Sequence, residues 1–200
     1  MQRITVKLID IDFVRKNSEK ILPVIDETRI LKANRFLQET DRLLSLGAGF
    51  LLSQYLPEKS FVFNENGKPY LKNGSFFNLS HSGDCAVLAV DGEREVGIDI
   101  QKIKEKDVSA IEYVSKEKLS LNEMFRLWSN KESLIKCLGG NISLIKDAPG
   151  LPLIGARIFK DESYYTQSVL FEGYSLSVTL KGNKPFEIVI EKADCDFSVK

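Results

Sequence analysis

Histidine occurs once in 200 residues and cysteine three times, so the side chains that most often ligate zinc are almost missing. Cys85, Cys137 and Cys195 stand far apart and form no C-x-x-C pair. One imidazole and three scattered thiols do not give zinc-ligand spacing, nor do they read as a disulfide framework. They read as reduced thiols, Cys85 and Cys137 in core positions, as in a cytoplasmic protein. Net charge is missing too: 28 Lys and Arg balance 28 Asp and Glu. That argues against nucleic-acid binding by bulk charge. No apolar run is long enough to span a bilayer, so no membrane partner is expected. The opening "MQRITVKLID" alternates polar and apolar residues instead of forming the apolar block of a signal peptide. What is present is 43% hydrophobic and 28% charged residues, without low-complexity tracts. That is the composition of one ordinary globular domain, or two small ones, able to bury a core.

Along the chain, residues 3–9 read as a strand, and 26–37 and 40–56 as helices, the second strongly apolar. "NENGKPY" reads as a turn, with Asn66-Gly67 and Pro69. Strands follow near 75–79, 85–90 and 95–101, separated by "SGD" and "DGE", which suit tight antiparallel turns. The charged connector "QKIKEKD" marks a boundary between an N-terminal half, 1–103, and a C-terminal half, 104–200. Helices are expected at 107–118 and 121–138, then strands near 154–158, 164–171, 174–181 and 185–191. Helices followed by antiparallel strands thus occur twice, which predicts two α+β halves.

Local rules fail in three places. In the helix at 121–138, Ser120 and Glu123 match a capping box and Gly139-Gly140 a stop. At roughly 100° per residue, Leu121, Met124, Phe125, Trp128, Ile135 and Leu138 share a face. Glu132 falls near the centre of that stripe, flanked by Lys131 and Lys136. A buried carboxylate there must be paired, metal-bound or protonated; the plain alternative is an i,i+4 ion pair to Lys136 at a wet edge. In "EVGIDIQ", Val96, Ile98 and Ile100 alternate with Gly97, Asp99 and Gln101. Asp is disfavoured inside strands, so the second face is either room for a ligand or a metal with oxygen ligands, or simply a solvent-facing edge. In "FNLSHSG", Asn78, Ser80 and Ser82 alternate with Phe77, Leu79 and His81. A break at the strand end would turn Ser80, His81 and Ser82 out together; the plain alternative is a structural histidine. A Ser–His hydrolase is poorly supported, because there is no G-x-S-x-G elbow and neighbours in sequence lack nucleophile–base geometry.

Taken in order, "GKPY", "FNLSHSG", "VGIDIQ" and "WSNKESLIK" resemble the 4′-phosphopantetheinyl transferases of the larger, surfactin-synthetase-activating type. The resemblance includes "RILKANRFLQETDRLLSL" and spans most of residues 28–140; the C-terminal strands match only in general pattern. It implies an α+β fold of two pseudo-symmetric halves, each with helices packed on a small antiparallel sheet, and an active site in the cleft between them. It implies transfer of the phosphopantetheine arm of coenzyme A to a serine of an apo acyl or peptidyl carrier protein, with release of 3′,5′-ADP and use of Mg²⁺.

The resemblance also implies roles for particular residues. Asp99, Gln101 and Glu132 would form the metal site, with Gln101 standing where many members have a third carboxylate. Glu132 and Lys136 would be the catalytic pair, the lysine reaching the reacting phosphate and the glutamate, or a metal-bound water, taking the serine proton. Gly67, Lys68 and Pro69 would lie along the nucleotide end of the coenzyme, and Ser80 and His81 would bind its phosphates. Arg29, Lys32 and Ser45 occupy places of further coenzyme contact. Lys131 belongs to the motif without an assigned role. Lysines 102, 104, 106, 116 and 118 form either a basic surface for an acidic carrier or a solvated connector. A monomer is expected. The rival readings are a catalytically silent coenzyme-A-binding protein, which Gln101 alone favours, and a serine hydrolase.

Overall fold

The computed structural model describes residues 1–56, 61–72, 75–105 and 119–194. The helix expected at 107–118, and Lys106, Lys116, Lys118 and Cys195, lie outside these residues. Strand β1 (Gln2–Asp10) leads into α1 (Ile11–Lys16), α2 (Ser18–Ile21), α3 (Glu27–Ala33) and α4 (Glu39–Tyr55). A short hairpin follows, β2 (Phe61–Phe63) and β3 (Pro69–Leu71), then β4 (Phe76–Ser82), β5 (Cys85–Asp91) and β6 (Val96–Lys102). The long helix α5 (Leu121–Leu138) precedes β7 (Ile154–Phe159), β8 (Glu162–Phe171), β9 (Tyr174–Lys181) and β10 (Phe186–Lys192). No helix among the described residues is long and apolar enough to cross a membrane.

The strands form two four-stranded sheets, β10-β1-β5-β4 and β6-β9-β8-β7, besides the hairpin. They stack as layers. Ala86 and Leu88 of β5 pack against α4 and its neighbours, while Cys85, Val87 and Ala89 face the second sheet. Burial on both faces explains why "CAVLAV" is a continuous apolar run. The second sheet answers with Val96, Ile98 and Ile100 of β6 and with Tyr174, Leu176, Val178 and Leu180 of β9.

Two observations correct the sequence reading. β10 pairs in parallel with β1, Gln2 opposite Phe186 through Leu8 opposite Lys192, so the first sheet is not wholly antiparallel. β6, from before residue 103, pairs with β9 in the other sheet. The boundary at 103/104 therefore does not separate two self-contained sheets, since each draws a strand from across it. The reason is local: the apolar face of β6 is complementary to β9, and β1 keeps an edge open for β10.

The other face of β9 carries Ser175, Ser177 and Thr179 and meets α5. Ser129 Oγ lies 2.8 Å from both Ser175 Oγ and Ser177 Oγ, and Ser133 Oγ 2.8 Å from Thr179 Oγ1, which in turn meets Thr166 at 2.7 Å. The helix thus rests on the sheet through small hydroxyls spaced i,i+4. The apolar stripe read from the sequence is turned to one side, with Met124, Trp128 and Glu132 half-buried.

Small size matters most at Gly97. A Cβ there would lie 2.0 Å from the Ser133 carbonyl oxygen and 2.3 Å from the Cys137 nitrogen, both backbone atoms of α5. Gly97→Ala must push the helix off the sheet. It should cost roughly 1–3 kcal/mol, read as a lower melting temperature. An unchanged melting temperature would show that the helix is not held this closely.

Candidate active site

Helix α5 is fixed at its start by a reciprocal capping box between Ser120 and Glu123, and at its end by Gly139 at φ 73°. One turn before that end, Lys136 Nζ donates to Asp99 Oδ1 at 2.5 Å and to Ser80 Oγ at 3.1 Å, and lies 3.5 Å from Glu132 Oε2. Asp99 is 1% exposed, so its strand face is not solvent-facing. Ser80 Oγ also donates to Asp99 Oδ1 (3.0 Å), and Gln101 Nε2 donates to Asp99 Oδ2 (2.9 Å). Glu132 is held from the other side by Trp128, whose indole N–H donates to Oε1 at 2.6 Å.

Two carboxylates thus share one ammonium in a half-closed place. Burial, followed by the charge of Asp99, pushes Glu132 up from its ordinary 4.5 to about 7, against the opposing pull of Lys136 and Trp128. Burial works against the Lys136 ammonium, yet Asp99 and Glu132 together outweigh it and hold its pKa above the usual lysine range.

A groove of about 190 Å³ adjoins this cluster. Its walls include Arg29 and Lys32 from α3, Asp41 and Ser45 from α4, Phe36, and Ser80 and His81 from β4. Partial burial first, then the charge of Lys136, lowers the His81 pKa below its ordinary value. Strand β4 runs on through Ser82 rather than breaking, so Ser80 and His81 project to opposite sides. His81 is exposed at the groove. The Ser80 hydroxyl is buried and saturated: it donates to Asp99 and accepts from Lys136 and from the Ile100 N–H.

The structure therefore gathers Arg29, Lys32, Ser45, Ser80 and His81 around one groove. It gathers Asp99, Gln101, Glu132 and Lys136 around Ser80. Gly67, Lys68 and Pro69 lie elsewhere, in the β2–β3 turn, where Lys68 Nζ donates to the carbonyls of Cys137 (3.1 Å) and Val96 (3.3 Å). Lys131 is buried and donates to the Ile145 carbonyl at 3.0 Å, which gives it a structural role. Trp128 was read as part of the apolar helix face and not as a site residue, and Phe36 and Asp41 were not singled out from the sequence. Only Trp128 left a signal, at i−4 from Glu132 on the same helix face. Among the described residues no group of three or more His, Cys, Asp or Glu side chains gathers to hold a metal. The oxygen donors here are two carboxylates and one amide.

The chain is 35% identical over 179 residues to the 4′-phosphopantetheinyl transferase psf-1 of Bacillus pumilus, across 79% of this chain and 74% of that one. The chain belongs to the 4′-phosphopantetheinyl transferases. The transferase is 31% identical to gsp of Aneurinibacillus migulanus over 72% of its own length and 70% of the relative's. It is 32% identical to Sfp of Bacillus subtilis over 67% and 69%. These relatives place the transferase with the larger type, and it is an enzyme. No protein-family model matches the chain.

The raised Glu132 makes a prediction for the metal-free enzyme. Folded, its carboxyl titrates near 7 rather than 4.5, so the folded state keeps a proton that the unfolded chain releases. Its contribution is intact below about 4.5 and is lost as pH rises through about 7. Glu132→Gln should be more stable than the parent at pH 8 with chelator, by roughly 1–3 kcal/mol, and the gap should close at acid pH. Equal melting temperatures at pH 8 would show that Glu132 is not under charge stress.

Proposed function

We propose that this transferase moves the 4′-phosphopantetheine arm of coenzyme A to a serine of an apo acyl or peptidyl carrier protein and releases 3′,5′-ADP. One observation carries the reading. A groove walled by Arg29, Lys32 and His81 opens beside a lysine and a carboxylate whose pKa is near 7. Phosphate binding and proton acceptance are thereby neighbours. The site occupies a cleft between the helices and strand β4 of the N-terminal half, which form the groove, and α5 of the C-terminal half; two helix-backed sheets, each with one strand from across the boundary, support a pseudo-symmetric pair.

Arg29, Lys32, Ser45 and His81 bind the phosphates of the coenzyme. The segment Gly67–Pro69 lies along its nucleotide end, Lys68 through its stem. The carrier serine Oγ bonds to the β-phosphorus while the bond from that phosphorus to the bridging oxygen breaks, and 3′,5′-ADP departs with the bridging oxygen. Lys136 stabilises the charge that develops on the departing phosphate. The serine proton passes to Glu132 as general base. Trp128 holds the same carboxylate in place.

The donor set fits Mg²⁺. Mg²⁺ commonly takes one or two carboxylates with phosphates and water, and Asp99 and Glu132 repel one another across a single ammonium. Asp99 and Glu132 would hold the ion; Gln101, whose NH₂ is engaged with Asp99, would offer its amide oxygen to the ion or to one of its waters. Bound there, the ion supplies positive charge to the pyrophosphate. Cys85 and Cys137 are buried free thiols, which supports a reducing, cytoplasmic setting. Fatty-acid, polyketide and peptide-synthetase carriers all remain acceptors within this reading.

Incubation with coenzyme A, Mg²⁺ and an apo carrier should add the mass of the phosphopantetheine arm to the carrier, read by mass spectrometry. Asp99→Ala should reduce that transfer by about a hundredfold or more while remaining folded. A carrier of unchanged mass with the parent enzyme, across all three carrier classes, would refute the function.

His81 is assigned to binding rather than to chemistry. His81→Ala should raise KM for coenzyme A more than it lowers kcat, and His81→Gln, which keeps a donor, should recover part of the loss. Loss confined to kcat, with coenzyme affinity intact by calorimetry, would move His81 into the chemical step.

A further inference from the structure

The turn "NENGKPY" does not end in solvent. Its side chains lie on the last carbonyls of α5. Asn64 Nδ2 and Asn66 Nδ2 each donate to the Gly139 carbonyl at 2.9 Å. Lys68 Nζ donates to the Cys137 carbonyl at 3.1 Å and to the Val96 carbonyl at 3.3 Å. The turn is itself braced, because Asn64 Oδ1 accepts the N–H groups of Asn66 (3.0 Å) and Lys68 (2.8 Å). Contact is close enough that a Cβ on Gly139 would meet Asn64 Nδ2 at 2.8 Å.

The chemistry suits a helix end. The final carbonyls of a helix lack internal donors and carry partial negative charge, so amide and ammonium donors are favourable partners there. Two carbonyls engage the Lys68 ammonium, and burial lowers its pKa. That ammonium bridges the two elements that bear the site. Val96 begins β6, which carries Asp99; Cys137 follows Lys136 on α5, which also carries Glu132.

We propose that Asn64, Asn66 and Lys68 are positioning residues that clamp α5 to β6. They hold Lys136 and Glu132 in register with Asp99, and the Lys68 ammonium serves this clamp rather than a phosphate of the coenzyme. The proposal rests on the roles given above to Glu132 and Lys136. A slip of the last turn of α5 moves Lys136 Nζ off Asp99 without touching the groove at Arg29, Lys32 and His81. Lost register therefore appears in turnover and not in coenzyme affinity.

The single tryptophan makes the test direct. Trp128 sits on α5 and bonds to Glu132, so its emission reports the helix without a label. Lys68→Met and the double variant Asn64→Ala/Asn66→Ala are compared with the parent. The measurements are kcat, KM for coenzyme A, calorimetric affinity for 3′,5′-ADP, and Trp128 emission. Expected in both variants are a fall in kcat of about tenfold or more, affinity for 3′,5′-ADP within about threefold, and altered emission. Lys68→Arg, which still donates to carbonyls, should restore part of kcat. The double variant keeps Lys68 and remains informative if Lys68→Met does not fold. Affinity weakened about tenfold with kcat and emission unchanged would overturn the clamp and make Lys68 a coenzyme ligand. Unchanged kcat and emission in the double variant would overturn it as well. Failure of the parent enzyme to modify any carrier is a separate result against the transfer reading, and the emission comparison stands apart from it.

Discussion

Three amide hydrogens on the edge of β6 need acceptors, and β4 provides them from side chains. Ile98 N–H donates to Asn78 Oδ1 (3.0 Å), Ile100 N–H to Ser80 Oγ (3.3 Å) and Lys102 N–H to Ser82 Oγ (2.9 Å). An edge strand buried without such partners would carry unpaired backbone donors at a cost of about 1–3 kcal/mol each. The ladder joins two sheets that share no backbone pairing, and it does so at the spacing of two that both strands possess. The site depends on this joint. Ser80 is one rung of it, and the same hydroxyl orients Asp99 and receives Lys136. The groove opens along β4 at Leu79, Ser80 and His81, and the carboxylate cluster meets it at Ser80.

Much of this was legible in the sequence where a pattern carries its own meaning. "YSLSVTLK" alternates because β9 faces an apolar sheet on one side and hydroxyls on the other. Asp99 was conspicuous because a strand interior rejects it, and Glu132 because it interrupts an apolar stripe. Both are indeed half or wholly buried and meet through Lys136. Pattern gives a face, however, and not the neighbour. Ser80 read as a phosphate ligand next to His81; both line the groove, and the Ser80 hydroxyl is in addition engaged by Asp99, Lys136 and the Ile100 N–H. Lys68 read as part of a turn along the nucleotide end of the coenzyme, and only the approach of α5 shows what its ammonium touches. The short helices α1 and α2 have too few residues for a period to emerge, and the parallel partnership of β1 with β10 leaves no local mark.

The charge arrangement shows a conflict between stability and activity that functional sites commonly display. Two carboxylates around one ammonium leave the cluster short of positive charge, and Glu132, raised first by burial and then by Asp99, bears the strain in its pKa. A purely structural helix would place an apolar residue at that position. The excess negative charge suits the centre to a cation, and the basic groove beside it suits the phosphates that a cation accompanies.

The pairing of the first strand with the last has a consequence for biosynthesis. Arg3 and Glu187, a hydrogen-bonded pair, are separated by 184 positions along the chain. While the protein is being made, β1 emerges well before β10, and its outer edge stays open until the residues 184 positions further on have left the ribosome. Contacts so distant in sequence form late, after the entropy of closing a long loop has been met. The nascent chain must therefore carry an unshielded strand edge throughout the interval between β1 and β10, in which unpaired edges invite association with other chains. Lys7, which pairs with Glu191 once the sheet is complete, places a charge on that edge during the wait.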